Sequence, residues 1–284
     1  MKWILFVILC LIWGSSFIIM KEGMETLGPF QLASIRIISA GLVMLPLVRS
    51  AYRSVPKKAI PALILSGFLG TLFPSYLFCI AQTKIDSSVA GILNALTPIF
   101  TLAIGMAFFN LKVGWIKWVG MLLGFIGMLV LVVGASREIN LQYIGYTFFV
   151  ILATICYGLN VNVVNQYLKD IAPMHIATIA FTALIIPNVL VLAYTGYFTD
   201  PALMNGTLTR GSIAGAVLGI VGTGVASVIF YTLMKKAGPI FASMVTYGIP
   251  LVALGWGIVA GESITAIQIA GMIVILAGVR LANK

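Results

Sequence analysis

Charge is nearly missing from this sequence. Seven acidic residues stand in 284 positions, and Asp, Glu, Lys and Arg together make up 8%. A water-soluble domain of this length could not solvate its surface with so few charges, which excludes the soluble globular class. No acid falls in the middle of an apolar run, and this argues against proton antiport through a buried carboxylate. Histidine occurs once, at His175, and cysteine three times, at Cys10, Cys79 and Cys156. The cysteines are odd in number, lie in apolar runs and show no CxxC spacing. Read as small core residues, they supply neither a disulfide framework nor a metal site. A nucleophile beside a base is also missing, as is a nucleotide-binding motif, so no catalytic residue, cofactor or metal is expected.

What fills the chain is apolar. Hydrophobic residues make up 61% and the mean hydropathy is +1.12. Runs of about 20 residues, each enough to cross ~30 Å of hydrocarbon, account for nearly the whole sequence. Helices are expected at roughly 3–20, 29–48, 60–82, 87–109, 113–134, 142–167, 174–197, 211–234, 238–260 and 264–282. The first run resembles a secretory signal, but Trp13 and Phe17 fall where a cleavage site needs small residues, so it is read as a retained helix.

The net charge of +10 does not point to nucleic acid, because the basic residues sort by membrane side rather than gathering on one face. With the amino terminus cytoplasmic, Lys2, Arg49, Arg53, Lys57, Lys58, Lys112, Lys117, Lys169, Lys235, Lys236, Arg280 and Lys284 share that side. Only Lys21, Lys84, Arg137 and Arg210 fall opposite. This asymmetry predicts that both termini are cytoplasmic.

The sequence also repeats itself. Adding 152 to Gly70, Thr71, Ser75, Phe78, Ala90 and Pro98 gives Gly222, Thr223, Ser227, Phe230, Ala242 and Pro250, the same residue types throughout. Trp13-Gly14 matches Tyr157-Gly158 and Pro29 matches Pro173 at an offset of 144. Five spans per repeat are odd in number, so the halves, 1–137 and 138–284, are expected to lie upside down relative to each other. The fold read from this is an all-α polytopic membrane protein of ten transmembrane helices in two inverted five-helix repeats, an arrangement typical of secondary transporters.

Polar residues inside the runs are the candidate site. Thr71, Ser75 and Cys79 align on one face of the third helix, and Thr223, Ser227 and Tyr231 do so on the eighth. Such stripes line a cavity or serve close helix packing. Asn94 and Thr246 each stand one turn before a mid-run proline, Pro98 and Pro250, which withholds a backbone N–H and can bend the helix. Tyr157 and Asn160 share a face of the sixth helix, as Trp13 and Ser16 do on the first. Arg36 is the one charge well inside a run. It anchors helices, or it gates or attracts an anion. The glycines of Gly120-x3-Gly124-x2-Gly127 and Gly211-x3-Gly215-x3-Gly219 are read as packing surfaces.

Trp13-Gly14-Ser15-Ser16-Phe17, Pro29 with Arg36, Asn94-x3-Pro98 and Gly261-Glu262, taken in this order over ten spans, resemble the EamA-type branch of the drug/metabolite transporter superfamily. The resemblance covers essentially the whole chain. It implies a central cavity lined by the first, third, fourth, sixth, eighth and ninth helices, with the fifth and tenth as packing elements, and export or exchange of small metabolites. One departure is Asn110, where that family usually carries an acid; Glu262 keeps the acid in the second half.

The combined expectation is a secondary transporter exporting small neutral or zwitterionic metabolites, amino-acid-like or amphipathic, across the plasma membrane by alternating access. A passive channel or facilitator is the alternative, and an integral membrane enzyme is least supported. The expected substrate-binding set is Trp13, Ser16, Phe17, Ser75, Tyr76, Asn94, Tyr157, Asn160, Ser227 and Tyr247, with Arg36, Pro98 and Pro250 gating or structural. The expected partners are a small-molecule substrate and the lipid bilayer, with a homodimer as a candidate assembly.

Overall fold

The computed structural model describes residues 1–133, 141–201, 206, 209–259 and 265–282. The expected boundary of the halves at 137/138 and the Gly261-Glu262 motif lie outside the described residues. The described chain is helical, with no strand among the described residues. In order the helices are α1 (Lys2–Gly23), α2 (Pro29–Ser54), α3 (Lys57–Gln82), α4 (Ser87–Asn94 continued by Thr97–Phe108) and α5 (Trp115–Val133). There follow α6 (Thr147–Tyr167), α7 (Pro173–Tyr194), α8 (Thr209–Ala237), α9 (Pro239–Ser243 continued by Val245–Val259) and α10 (Ala266–Ala282). All but α5, α9 and α10, which are shorter and equally apolar, are long and apolar enough to cross a membrane.

Local chemistry sets the helix ends. Pro29, Pro173 and Pro239 open α2, α7 and α9, where a missing N–H is harmless and the fixed φ suits a first turn. Gly238 precedes Pro239 with φ +85, a conformation that a side chain would oppose. Asn110 follows α4 with φ +52. Asparagine accepts this left-handed turn better than most residues, which gives a backbone reason for an amide there.

Each helix turns one apolar face outward and another inward. On α1, Ile4, Val7 and Leu11 are exposed while Phe6, Leu9 and Cys10 are buried. All three cysteines are free and buried. The packing pairs follow a regular scheme: α1 packs on α9 and α6 on α4, α2 on α8 and α7 on α3, α1 on α8 and α6 on α3. The pairs α2–α7 and α5–α10 map onto themselves when five is added to each number.

α5 and α10 touch backbone to backbone through their glycines. A Cβ built on Gly271 would stand 2.6 Å from the Leu131 nitrogen and 2.9 Å from the Gly127 carbonyl oxygen. Gly211, Gly215 and Gly219 likewise let α8 approach α1 and α2: a Cβ on Gly215 would meet Ile35 Cγ2 at 2.8 Å, and one on Gly219 would collide with the Arg36 carbonyl. At the end where α1 finishes and α8 starts, Arg210 lies 3.6 Å from Glu22 and 4.0 Å from Glu25. These side chains are more than half exposed, so the pairs contribute little to stability.

Candidate functional site

The helices leave a central cavity of about 910 Å³ of empty space, its open mouth included. Trp13, Ser16, Phe17 and Met20 of α1 line it, with Gly70, Thr71, Ser75 and Phe78 of α3. Asn94 and Thr97 come from α4, and Tyr157, Asn160 and Val161 from α6. α8 supplies Gly222, Thr223, Ser227, Phe230 and Tyr231, and α9 supplies Ser243, Thr246 and Ile249. Arg36 adds α2 to the six helices implied by the resemblance.

Both α3 and α8 widen into a π-turn at the cavity, over Phe68–Leu72 and Ile220–Val225. A π-turn shifts the helical register and leaves carbonyls open to side-chain donors, and such turns concentrate at functional sites. Here the donors are visible. The Trp13 indole Nε1–H donates to the Gly222 carbonyl at 2.9 Å, and the Thr223 hydroxyl donates to the Leu218 carbonyl at 3.1 Å. Each π-turn also contains a glycine against which an α1 or α6 side chain rests. A Cβ on Gly222 would lie 3.1 Å from Ser16 Oγ, and one on Gly70 would collide with the Asn160 amide nitrogen.

Asn160 is further held by the Ser66 hydroxyl, which donates to its Oδ1 at 2.7 Å and lies 3.3 Å from the Tyr231 hydroxyl. Ser66 is fully buried and joins α3, α6 and α8. The residue pattern did not single it out, although it stands one turn before Gly70 on the same face.

At Asn94 the chain breaks between the two pieces of α4. Pro98 lacks the N–H that would bond the Asn94 carbonyl, and the Thr97 hydroxyl takes that acceptor instead at 2.7 Å. The Asn94 side-chain NH2 donates to no group among the described residues. The same holds for the hydroxyls of Tyr157 and of the repeat mates Ser75 and Ser227, so these groups are available to a ligand.

Aromatic rings bracket the space. Trp13 lies 5.4 Å from Phe230 and Tyr157 lies 6.1 Å from Phe78, centroid to centroid. The two pairs are repeat mates of each other: Trp13 corresponds to Tyr157 and Phe230 to Phe78. Phe78 and Phe230 appear in the repeat but were not expected at the site. Their shared offset was the available signal.

Arg36 is brought into the cavity wall by the close approach of α8 at Gly219. Its Nε–H donates to Thr223 Oγ1 at 2.7 Å. No carboxylate lies within 4 Å of it among the described residues.

Four expected residues stand elsewhere. Tyr76, next to Ser75 but 100° further around α3, points away from the cavity; its hydroxyl is 2.7 Å from Ser34 Oγ and donates to Asn188 Oδ1 at 2.6 Å, tying α3 to α2 and α7. Tyr247 is fully buried and donates to the Met121 carbonyl at 3.0 Å, its ring filling the notch at Gly124 of α5; its neighbour Thr246 faces the cavity instead. Pro98 opens the second piece of α4 without lining the space. Pro250 sits inside the continuous Val245–Val259 helix, and the break in α9 falls at Met244. Hydroxyls stabilise that break: Ser243 donates to the Ile240 carbonyl at 2.8 Å and Thr246 to the Ser243 carbonyl at 3.0 Å.

Comparison with known proteins agrees with this architecture. The model of the EamA-like transporter family matches residues 1–133 and 144–284. The chain is 24% identical to an uncharacterized transporter of Archaeoglobus fulgidus, over 100% of this chain and 99% of that one. It is 24% identical to a probable amino-acid metabolite efflux pump of Salmonella typhimurium, over 94% of this chain and 89% of the pump. It is 30% identical to the uncharacterized transporter YdfC of Bacillus subtilis, over 44% of this chain and 41% of YdfC. A protein known from a crystal structure shares the fold at a TM-score of 0.71, with 17% identity, over 98% of this chain and 95% of the other. A helical, apolar chain folded around a polar cavity and matched by one family model over nearly all its length is a multi-pass membrane transporter, and it belongs to the EamA-like transporter family.

Proposed function

We propose that the protein is a secondary transporter of ten spans in two inverted five-helix repeats, 1–137 and 138–284. It exports small neutral or zwitterionic metabolites across the plasma membrane by rocking one repeat against the other, and both its termini are cytoplasmic. The observation that carries this reading is the exchange of the aromatic pairs. Trp13 with Phe230 and Tyr157 with Phe78 are the same contact made twice, once by α1 on α8 and once by α6 on α3. Inversion puts the two contacts on opposite sides of the cavity centre. A ligand between them meets one pair on opening outward and the other on opening inward. The matching π-turns and the packing scheme that maps onto itself support the same symmetry.

The lining supports the neutral or zwitterionic class: among the described residues it offers hydroxyls, amides and aromatic rings but one formal charge. A phosphate ester would call for several basic groups. The Salmonella efflux pump named for amino-acid metabolites supports both the direction and the class. Purified protein in lipid vesicles tests the proposal with radiolabelled amino acids. Saturable uptake stimulated by the same unlabelled compound inside is expected, reduced at least several-fold by Asn94→Ala. Flux that never saturates and shows no counterflow would make the protein a passive channel and reject the alternating mechanism.

A further inference from the structure

We infer that Arg36 is a carboxylate receptor, so that the cavity, read as a transport site, selects ligands carrying a free carboxylate and rejects their cationic amides. The inference starts from a charge with no counter-charge beside it among the described residues. Arg36 is half-buried on α2 and lines the cavity, and none of the other lining residues is acidic among the described residues. All seven acids of the chain, Glu22, Glu25, Asp86, Glu138, Asp170, Asp200 and Glu262, fall at the ends of apolar runs or between them. A guanidinium held away from bulk water without a counter-charge costs free energy that a bound anion offsets.

The geometry shows which part of the group is free. Nε–H is bonded to Thr223 Oγ1 at 2.7 Å, and that hydroxyl donates onward to the Leu218 carbonyl at 3.1 Å. One edge of the guanidinium is therefore fixed to the π-turn of α8. The two Nη groups make no hydrogen bond to any described residue. A planar fork held by its stem and open at its tip matches the two oxygens of a carboxylate. The repeat reinforces the assignment: the mate of Arg36 is Ala180, so among the described residues the cavity has one anion receptor and no second to hold a dianion. Thr223 is itself the mate of Thr71, which makes no hydrogen bond among the described residues; the duplicated threonine is engaged only in the half that meets the arginine. Among the described residues nothing acidic in the lining answers a ligand's positive charge. The carboxylate of a zwitterion is therefore the group recognised, and an N-acetyl acid serves as a probe of that contact alone.

The test uses the full-length protein in lipid nanodiscs and matched triplets built on leucine, phenylalanine and threonine: the free amino acid, its N-acetyl acid and its amide. Binding is read by calorimetry and by the shift in melting temperature. In at least one triplet both acids bind, and the amide binds weaker by on the order of tenfold or more, the scale of one charge-assisted contact. Arg36→Gln brings the acids down to the level of the amide, and Arg36→Lys keeps part of the preference. Should Arg36→Gln fail to fold, the acid-to-amide ratio of the wild-type protein and of Arg36→Lys still decides. Amides that bind as tightly as acids, a preference unchanged in Arg36→Gln, or no acid binding in any triplet would overturn the assignment. The transport reading fails separately. Counterflow without preference for acids leaves a transporter and rejects the receptor, whereas acid binding without counterflow keeps the receptor and rejects the transporter.

Discussion

Trp13→Phe isolates one bond between the two halves of the chain. In the native protein the indole Nε1–H donates to the Gly222 carbonyl at 2.9 Å, and the ring lies 5.4 Å from Phe230. Phenylalanine keeps an aromatic ring against Phe230 and removes the N–H. Hydrogen bonds between membrane helices are worth about 0.6 kcal/mol on average and up to ~1.7. A carbonyl left unpaired when buried costs about 1–3 kcal/mol. Gly222 lines a cavity roomy enough for water to replace the indole, so the lower scale governs and the expected loss is about 0.6–1.7 kcal/mol. Trp13→Ala also forfeits the ring contact, ~0.5–1.5 kcal/mol for the aromatic pair alone, and leaves a void, so it is the more damaging change. Tyr157→Phe is the control. Tyr157 is the repeat mate of Trp13 but its hydroxyl has no partner among the described residues, so its loss should stay within about 0.5 kcal/mol. The assay is detergent-titration unfolding followed by circular dichroism, paired with counterflow in vesicles. If Trp13→Phe is as stable as Tyr157→Phe, the indole bond to the π-turn does not tie α1 to α8. The account of why that turn is held open then fails.

Three further outcomes are expected. Gly271→Val should lower stability by about 1–3 kcal/mol or more, because its Cβ would meet the Leu131 and Gly127 backbone; an unshifted melting temperature would contradict the α5–α10 contact. Tyr247→Ala should cost about 3–5 kcal/mol as a buried aromatic truncation, and Tyr247→Phe should lose only the bond to Met121 while leaving ligand affinity unchanged; weaker ligand binding in a stable Tyr247→Phe protein would return that residue to the site. Ser54→Cys, exposed at the end of α2, should react with an impermeant thiol reagent only after cells are opened, because the proposed orientation puts twelve basic residues on the cytoplasmic side against four opposite. Labelling of intact cells would reverse the topology.

Much of this protein is legible along the chain because the bilayer imposes a one-dimensional code. A span needs a long apolar run, and charges are driven to its ends, so runs and loops can be counted off the letters. Trp13, Ser16, Asn94, Tyr157 and Asn160 could be marked for the same reason: a polar or indole group at that depth needs a partner or a cavity. Which face of a helix looks inward is a different matter. Core and lipid are equally apolar, so no amphipathic stripe distinguishes them: the expected set takes Ser75 and Tyr76 together although packing separates them, and it takes Tyr247 where its neighbour Thr246 is the one that lines the cavity. The π-turns at Phe68–Leu72 and Ile220–Val225 shift the register, and no residue pattern announces them. The break in α9 at Met244 rather than at Pro250 depends on which carbonyls nearby hydroxyls can reach. Sequence alone determined that the chain is built of apolar helices, with polar groups at set places within them. Tertiary structure alone decided which of those groups meet, because only the close approach of helices at glycines such as Gly219 brings Arg36 to Thr223 in the cavity wall.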